Sequence, residues 1–347
     1  MKKKAITTVI IGFTTLMIGL ILVGIGFLTG GIQQLTEISQ PDQITKDYKG
    51  LSAIKVESMP HEVIIQESSD DQFHVTYTDS KNNLGNALQL KQTDKELTVT
   101  AKRREFRIKG ILQVLGEVLS QEYQNSNTIT ITIPKNKTLD KFTIQTFSYT
   151  SIENSHIKEA TITGGLRLQN VQIDSGQLSG YYISVNQSTL KNLTISSHEK
   201  NIDLMQSQLE NSTIKSYSYL DASELTLKGD NHFTPAKEQL TETNIDLTDQ
   251  SLQNLNWYIQ NKVNKQSLAE GLGYGGFSES ELADLYKENQ YLQNEFQKIG
   301  IFTSDKYEKL PVLSNDKEHT LILDKKESKN KLTIETTNAT INIRTPE

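Results

Sequence analysis

Asp203 and Asp221 lie 18 residues apart, with Asp174 upstream of them. In a chain that coils with a period near that spacing, such carboxyls come to stand a few ångströms apart on adjacent coils. Solenoid enzymes that cleave polysaccharides use a carboxylate pair placed that way for acid/base work. Aspartate is also a favoured turn residue, and no Lys, Arg or His recurs beside these positions, so the sequence assigns no catalytic residue. The six histidines, His61, His74, His156, His198, His232 and His319, fall in no nucleophile motif and show no metal-ligand spacing; they read as solvent-exposed turn residues. Gly271-Leu272-Gly273-Tyr274-Gly275-Gly276 lacks the Lys-Ser/Thr of a phosphate loop and reads as a hinge. With no cysteine, disulfides, thiolate metal sites and thiol nucleophiles are excluded. No metal and no cofactor are expected.

Two other groups of residues suit binding rather than catalysis. Phe147-Ser148-Tyr149-Thr150 and Tyr217-Ser218-Tyr219-Leu220 are near repeats, with Tyr181-Tyr182 between them. Stacked coils would align Phe147, Tyr149, Tyr181, Tyr182, Tyr217 and Tyr219 into a ladder. Such a ladder is either a flat contact surface for glycans or peptides or a structural aromatic stack. The second group is basic: Lys102, Arg103, Arg104, Arg107 and Lys109 precede Ile111, Leu112 and Leu115. Apolar residues recur at three- and four-residue spacing through 102–122, which predicts an amphipathic helix. It would lie on anionic headgroups or a partner, or cover the open end of a strand stack.

The elements that must position these groups follow from periodicity. Lys2, Lys3 and Lys4 precede an uncharged run from Ala5 to Leu28, about 36 Å long as a helix and enough to cross a bilayer. Lysines on one side only place the N-terminus in the cytoplasm and the rest outside. The run is longer than the apolar core of a cleaved signal peptide. Residues 1–4 are then a cytoplasmic stub, 5–29 a transmembrane helix and 30–50 a polar tether. From residue 51 short runs alternate apolar and polar, as in Ile129-Thr130-Ile131-Thr132-Ile133 before Pro134. Within 139–229, Ile157, Ile173, Leu190, Leu209 and Leu225 recur at intervals of 16, 17, 19 and 16 residues in similar surroundings: Asn154-Ser155-His156-Ile157, Gln187-Ser188-Thr189-Leu190, Gln206-Ser207-Gln208-Leu209. That length fits one coil of two or three short strands, which buries its inward side chains by stacking on its neighbours. The pattern breaks at 230, and 230–310 reads as an insertion or subdomain. It carries a helix over 278–299 that opens on the capping box Ser278-Glu279-Ser280-Glu281. Closing strands occupy 311–347. The expected fold is mainly β, a single-stranded β-solenoid of about five or more turns over 51–229, with the 102–122 helix as an excursion from it.

Leu139-Asp140-Lys141-Phe142-Thr143-Ile144 and Lys331-Leu332-Thr333-Ile334-Glu335-Thr336, behind an N-terminal anchor and a strand ending in Pro134, resemble the "putative adhesin" β-strand-repeat family. This is a domain of unknown function common among Gram-positive envelope proteins. The resemblance covers roughly 51–229 and 320–345, although Ser- and Asn-rich turns stand where the family often has Ser-Gly-Asp. It implies a cell-surface solenoid without established catalytic residues, some members being tied to envelope-stress signalling or antimicrobial-peptide response.

Charge agrees with that setting. Setting aside the three N-terminal lysines leaves 33 basic against 42 acidic residues, which argues against nucleic acid. The expected partners are the cell membrane, other envelope-stress membrane proteins or peptides, and glycans. The leading reading is a non-enzymatic, single-pass, extracytoplasmic binding or sensing module. The alternatives are an adhesin that uses the tyrosine face and an enzyme of wall polysaccharide that uses Asp203 and Asp221.

Overall fold

Leucines and isoleucines at every second residue set most of the architecture, because alternate side chains of a strand point to opposite faces. The computed structural model describes residues 2–57, 60–82, 84–105, 110–120, 127–235, 240–303, 312–315 and 318–344. The chain folds into two compact units. One comprises Met1–Lys46, Thr76–Gln89 and Ala101–Ile129; the other comprises Asp47–Val75, Leu90–Thr100 and Thr130–Glu347.

The first unit opens with helix α1 (Lys2–Leu28). Its segment Ile6–Gly26 is long and apolar enough to cross a membrane, and none of it is buried within the chain. The predicted tether is structured instead: helix α2 (Gly31–Ser39) and a strand, Asp42–Tyr48. The corner between α1 and α2 needs glycine twice. Gly30 has φ +81°, and a Cβ on Gly31 would lie 2.6 Å from the carbonyl oxygen of Gly26. The predicted helix over 102–122 is shorter than expected. Lys102 and Arg103 end the strand Glu96–Arg103, and helix α3 spans Ile111–Val118. The basic cluster is correspondingly dispersed. Arg104 pairs with Asp79 and donates to the carbonyl of Ser80 at 2.9 Å, while Arg107 and Lys109 lie outside the described residues.

The second unit is mainly β, and its strands pair in parallel register from one coil to the next. A representative coil has three short strands, Ile183–Asn186, Thr189–Lys191 and Leu193–Ser197. Each strand belongs to a column of buried residues. Leu166, Ile183, Ile202 and Leu220 form the first column. Ile173, Leu190, Leu209 and Leu227 form the second. Leu178, Ile195, Ile214 and Phe233 form the third. The second column corrects the expected repeat by two residues: Leu209 stands against Leu227, whereas Leu225 pairs with Leu247 beyond a bulge. The corners turn on residues in left-handed backbone, among them Asn154, Asn170, Gln187, Asn192, Gln206, Asn211 and Glu224. Asparagine tolerates that region better than most residues. A serine commonly follows and serves the neighbouring coil, as where Ser188 Oγ accepts from Val171 N at 3.0 Å and Ser207 Oγ accepts from Ser188 N at 3.1 Å. The corner residues also bond one another. Asn170 donates to Asn154 at 2.7 Å, Gln187 to Gln206 at 3.2 Å, and Gln206 to Glu224 at 3.2 Å. They explain the Asn-Ser and Gln-Ser pairs of the repeat.

Stacking does not stop at residue 230 as the sequence pattern predicts. Asp230–Pro235 pairs with Thr213–Ser216, and Thr241–Leu247 pairs with Tyr219–Lys228. The C-terminal strands then enter out of sequence. Asn330–Thr337 lies between Asp230–Pro235 and Leu255–Lys262. Ala339–Arg344 lies between Thr241–Leu247 and Gly300–Thr303. Short helices α4 (Asp249–Gln253) and α5 (Lys265–Gly271) follow the chain outward. The helix expected over 278–299 is two helices, α6 (Glu279–Glu288) and α7 (Gln290–Gln297). The capping box at Ser278 is present, but Asn289 ends α6 and caps α7 by accepting from the N–H groups of Tyr291 and Leu292.

Candidate functional site

In a strand whose odd members are buried, the even members form a grid on the outer face. Ile183–Asn186, Ile202–Met205, Tyr219–Lys228, Thr241–Leu247 and Ala339–Arg344 build such a grid in the second unit. One row runs through Arg167, Ser184, Asp203, Asp221, Asn244 and Asn342, each in register with the next. Parallel strands are spaced about 4.8 Å apart, so the carboxylates of Asp203 and Asp221 start from neighbouring backbone positions. Tyr182 and Tyr219 stand one row away, each beside one of these aspartates along its own strand or the adjoining one.

The row is held by polar contacts. Tyr219 Oη accepts from Asn244 Nδ2 at 2.7 Å, and Asn244 Oδ1 accepts from Asn342 Nδ2 at 2.7 Å. Arg344 reaches the same oxygen at 3.5 Å and stands in register with Asp246. Burial raises the pKa of Asp203; a hydrogen bond from Tyr182 opposes the shift and the charge of Asp221 adds to it. Asp246 is raised by burial, against the pull of Arg344. Tyr182 and Tyr219 are raised chiefly by burial, with further contributions from Asp203 and Asp221 respectively. The result is a row of carboxylate and amide groups, the buried Asn244 among them, with two half-buried phenols in the row beside it. Rigid aromatic faces beside oriented hydrogen-bonding groups suit sugars or polar peptides.

The six aromatic residues expected as one ladder are divided. Tyr149 and Tyr181 meet edge to face, with ring centroids 5.2 Å apart. Gly165 makes room for them, since a Cβ there would lie 2.6 Å from both. Lys200 sits over the Tyr181 ring at 6.0 Å, and Tyr181 Oη is raised by burial and by Tyr149. Tyr217 is exposed, its N–H donating to Ser197 Oγ at 3.2 Å, and Phe147 is 82% exposed. Tyr182 and Tyr219 belong to the grid, each just before a residue, Ile183 or Leu220, that is in register with Ile202. The bend between Gly180 and Ile183 divides the set: Tyr181 turns to Tyr149 and Tyr182 to Asp203.

Sequence reasoning missed a second cluster at the corners. His156 donates or accepts at 2.8 Å to Asp174 and at 3.1 Å to Thr138, and Lys191 approaches Asp174 at 3.8 Å. Burial alone would raise Asp174, but hydrogen bonds from Gln172 and His156 and the charge of Lys191 outweigh it and leave it lowered. The cluster borders a polar groove of about 610 Å³. Its signal was available, since His156, Asp174 and Lys191 are spaced 18 and 17 residues apart, one coil each.

Compared with known proteins, the chain matches the family model Toastrack DUF4097 over residues 51–256. The crystal structure of a "putative cell adhesion protein" from Clostridium sporogenes is similar over 88% of this chain and 100% of its own, at 10% identity and a TM-score of 0.24; so low a score carries no argument. No curated protein matches the chain.

Proposed function

Because the chain belongs to the Toastrack DUF4097 family, we propose that it is a non-enzymatic, membrane-anchored, extracytoplasmic binding module whose grid of Tyr182, Asp203, Tyr219, Asp221 and Asn244 receives a ligand. We read the second unit as a single-stranded β-solenoid of about five or more turns, a reading supported by its three in-register columns. Helix α1 crosses the cell membrane once, with Lys2–Lys4 in the cytoplasm; the one-sided lysines support that orientation. The division into stub, span, repeat domain, insertion and closing strands belongs to the same proposal. So does a role in surface interaction or envelope-stress response in a Gram-positive cell.

The observation that carries this reading is the grid: a row of carboxylate and amide groups with two half-buried tyrosines, Tyr182 and Tyr219, together in the row beside it. Wall-derived glycan fragments are the ligand class that fits such a surface. Full-length protein in detergent should bind some members of a panel of wall glycan fragments. Tyr182→Ala and Tyr219→Ala should each weaken that binding by about 2 kcal/mol, the loss typical of a central aromatic contact. Retained affinity in both variants would refute the assignment.

One observation favours a second reading. Asp203, with its raised pKa beside Asp221, resembles an acid next to a carboxylate nucleophile, and the spacing of neighbouring strands is close to the carboxyl separation of about 5 Å in retaining glycosidases. Release of reducing ends by the wild type, abolished in Asp203→Asn, would establish cleavage instead of binding.

A further inference from the structure

Helix α3 is inverted relative to an ordinary surface helix. Its covered side consists of Gly116 and Glu117, with Ser120 just beyond its end, whereas Ile111, Leu112, Leu115, Val118 and the C-cap residue Leu119 are exposed, Ile111 by 78%. The covered side is fixed firmly. A Cβ on Gly116 would lie 2.6 Å from Leu35 O and 2.8 Å from Ser39 Oγ, so α3 packs directly on α2. Glu117 is fully buried and accepts from the backbone N–H of Asn82 at 3.1 Å and from its side-chain amide at 2.6 Å. Five large apolar residues on one short helix form a patch of the kind that soluble proteins cover.

The chain itself indicates what covers it. Only two residues separate the end of α1 from the start of α2, at the Gly30–Gly31 corner. α3 is thereby tied, through α2, to the end of the apolar span. α2 adds its own exposed Ile38, and Lys102 and Arg103 are exposed in the same unit. Apolar side chains with basic residues nearby are the composition of a helix lying in a bilayer interface. We infer that α3 is a second membrane contact. Its stripe Ile111, Leu112, Leu115, Val118 and Leu119 is seated in the lipid interface of the membrane that α1 crosses. The inference rests on the reading of α1 as a retained anchor and adds a fixed posture to it.

The absence of cysteine permits a clean test. Leu112→Cys and, separately, Leu16→Cys in α1 would be labelled with an environment-sensitive fluorophore. The full-length chain would then be reconstituted in phosphatidylcholine–phosphatidylglycerol vesicles with or without spin-labelled lipid. Lipid quenching of both labels, with little quenching by aqueous iodide, is the expected result. Quenching of the label at 16 with iodide-accessible dye at 112 overturns the inference and leaves the anchor intact. Shielding of the label at 112 from both quenchers would mean that a second copy of the chain covers the stripe, and also overturns it. A label at 16 that lipid fails to quench removes the anchor reading and the inference together.

Discussion

At Asp203 two influences compete. Burial raises its pKa, and the hydrogen bond from Tyr182 pulls the other way without cancelling the shift. A raised carboxyl pKa in the fold means that ionisation costs stability at every pH above the folded value. That cost fades as pH falls toward the ordinary value of 3.8, where the unfolded chain is also protonated. Asp203→Asn is therefore expected to raise Tm at neutral pH, with the gain shrinking as pH falls through the raised folded value toward 3.8. A Tm series across that range checks it, and an unchanged or lowered Tm at neutral pH would contradict it. Only part of this was legible. The spacing of Asp203 and Asp221 suggested neighbouring coils, and the register agrees. Tyr182 and Asn244 as partners were not legible, because a coil spacing locates backbone neighbours but not side-chain contacts. The left-handed corners at Gln187 and Gln206 were equally hidden, since glutamine is not a usual residue for that backbone.

Elements show where local signals compete with packing. Leu225 and Leu227 form a Leu-x-Leu pair, and periodicity alone cannot say which one joins the column; the bulge between Ala222 and Leu225 decides it. Asn289 has little effect on an apolar stripe, so the stripe across 278–299 looked continuous, yet its carboxamide caps a second helix. The strand Phe73–Asp79 offers an electrostatic test. His74 lies between Asp47 at 2.7 Å and Asp70 at 2.9 Å, and these bonds, that to Asp47 first, raise its pKa above 6.5. A raised histidine pKa stabilises the fold fully below about pH 6.5, and the stabilisation is lost as pH rises through the folded value. The wild type should thus lose more Tm than His74→Gln does as pH rises above 6.5. Parallel pH profiles would show that the clamp contributes nothing.

For the whole molecule, the order of strands departs most from the order of sequence. The last coil, Asn330–Arg344, enters the stack between segments that precede it by about 100 residues on one side and about 75 and 40 on the other, and supplies Asn342 and Arg344 to the grid. The alternation of 331–335 and 339–343 made these strands legible. Their place was not, because period-seeking assumes that neighbours in sequence are neighbours in the stack. The grid thus draws on residues from 182 to 344, and a ligand on it would touch several coils at once. Tyrosine nitration of the full-length protein, read by mass spectrometry with and without a bound wall-glycan fragment, tests this directly. Selective protection of Tyr182 and Tyr219, with Tyr217 still modified, is the result the grid predicts. Protection confined to Tyr149, Tyr181 and Tyr217 would place the ligand elsewhere and contradict it.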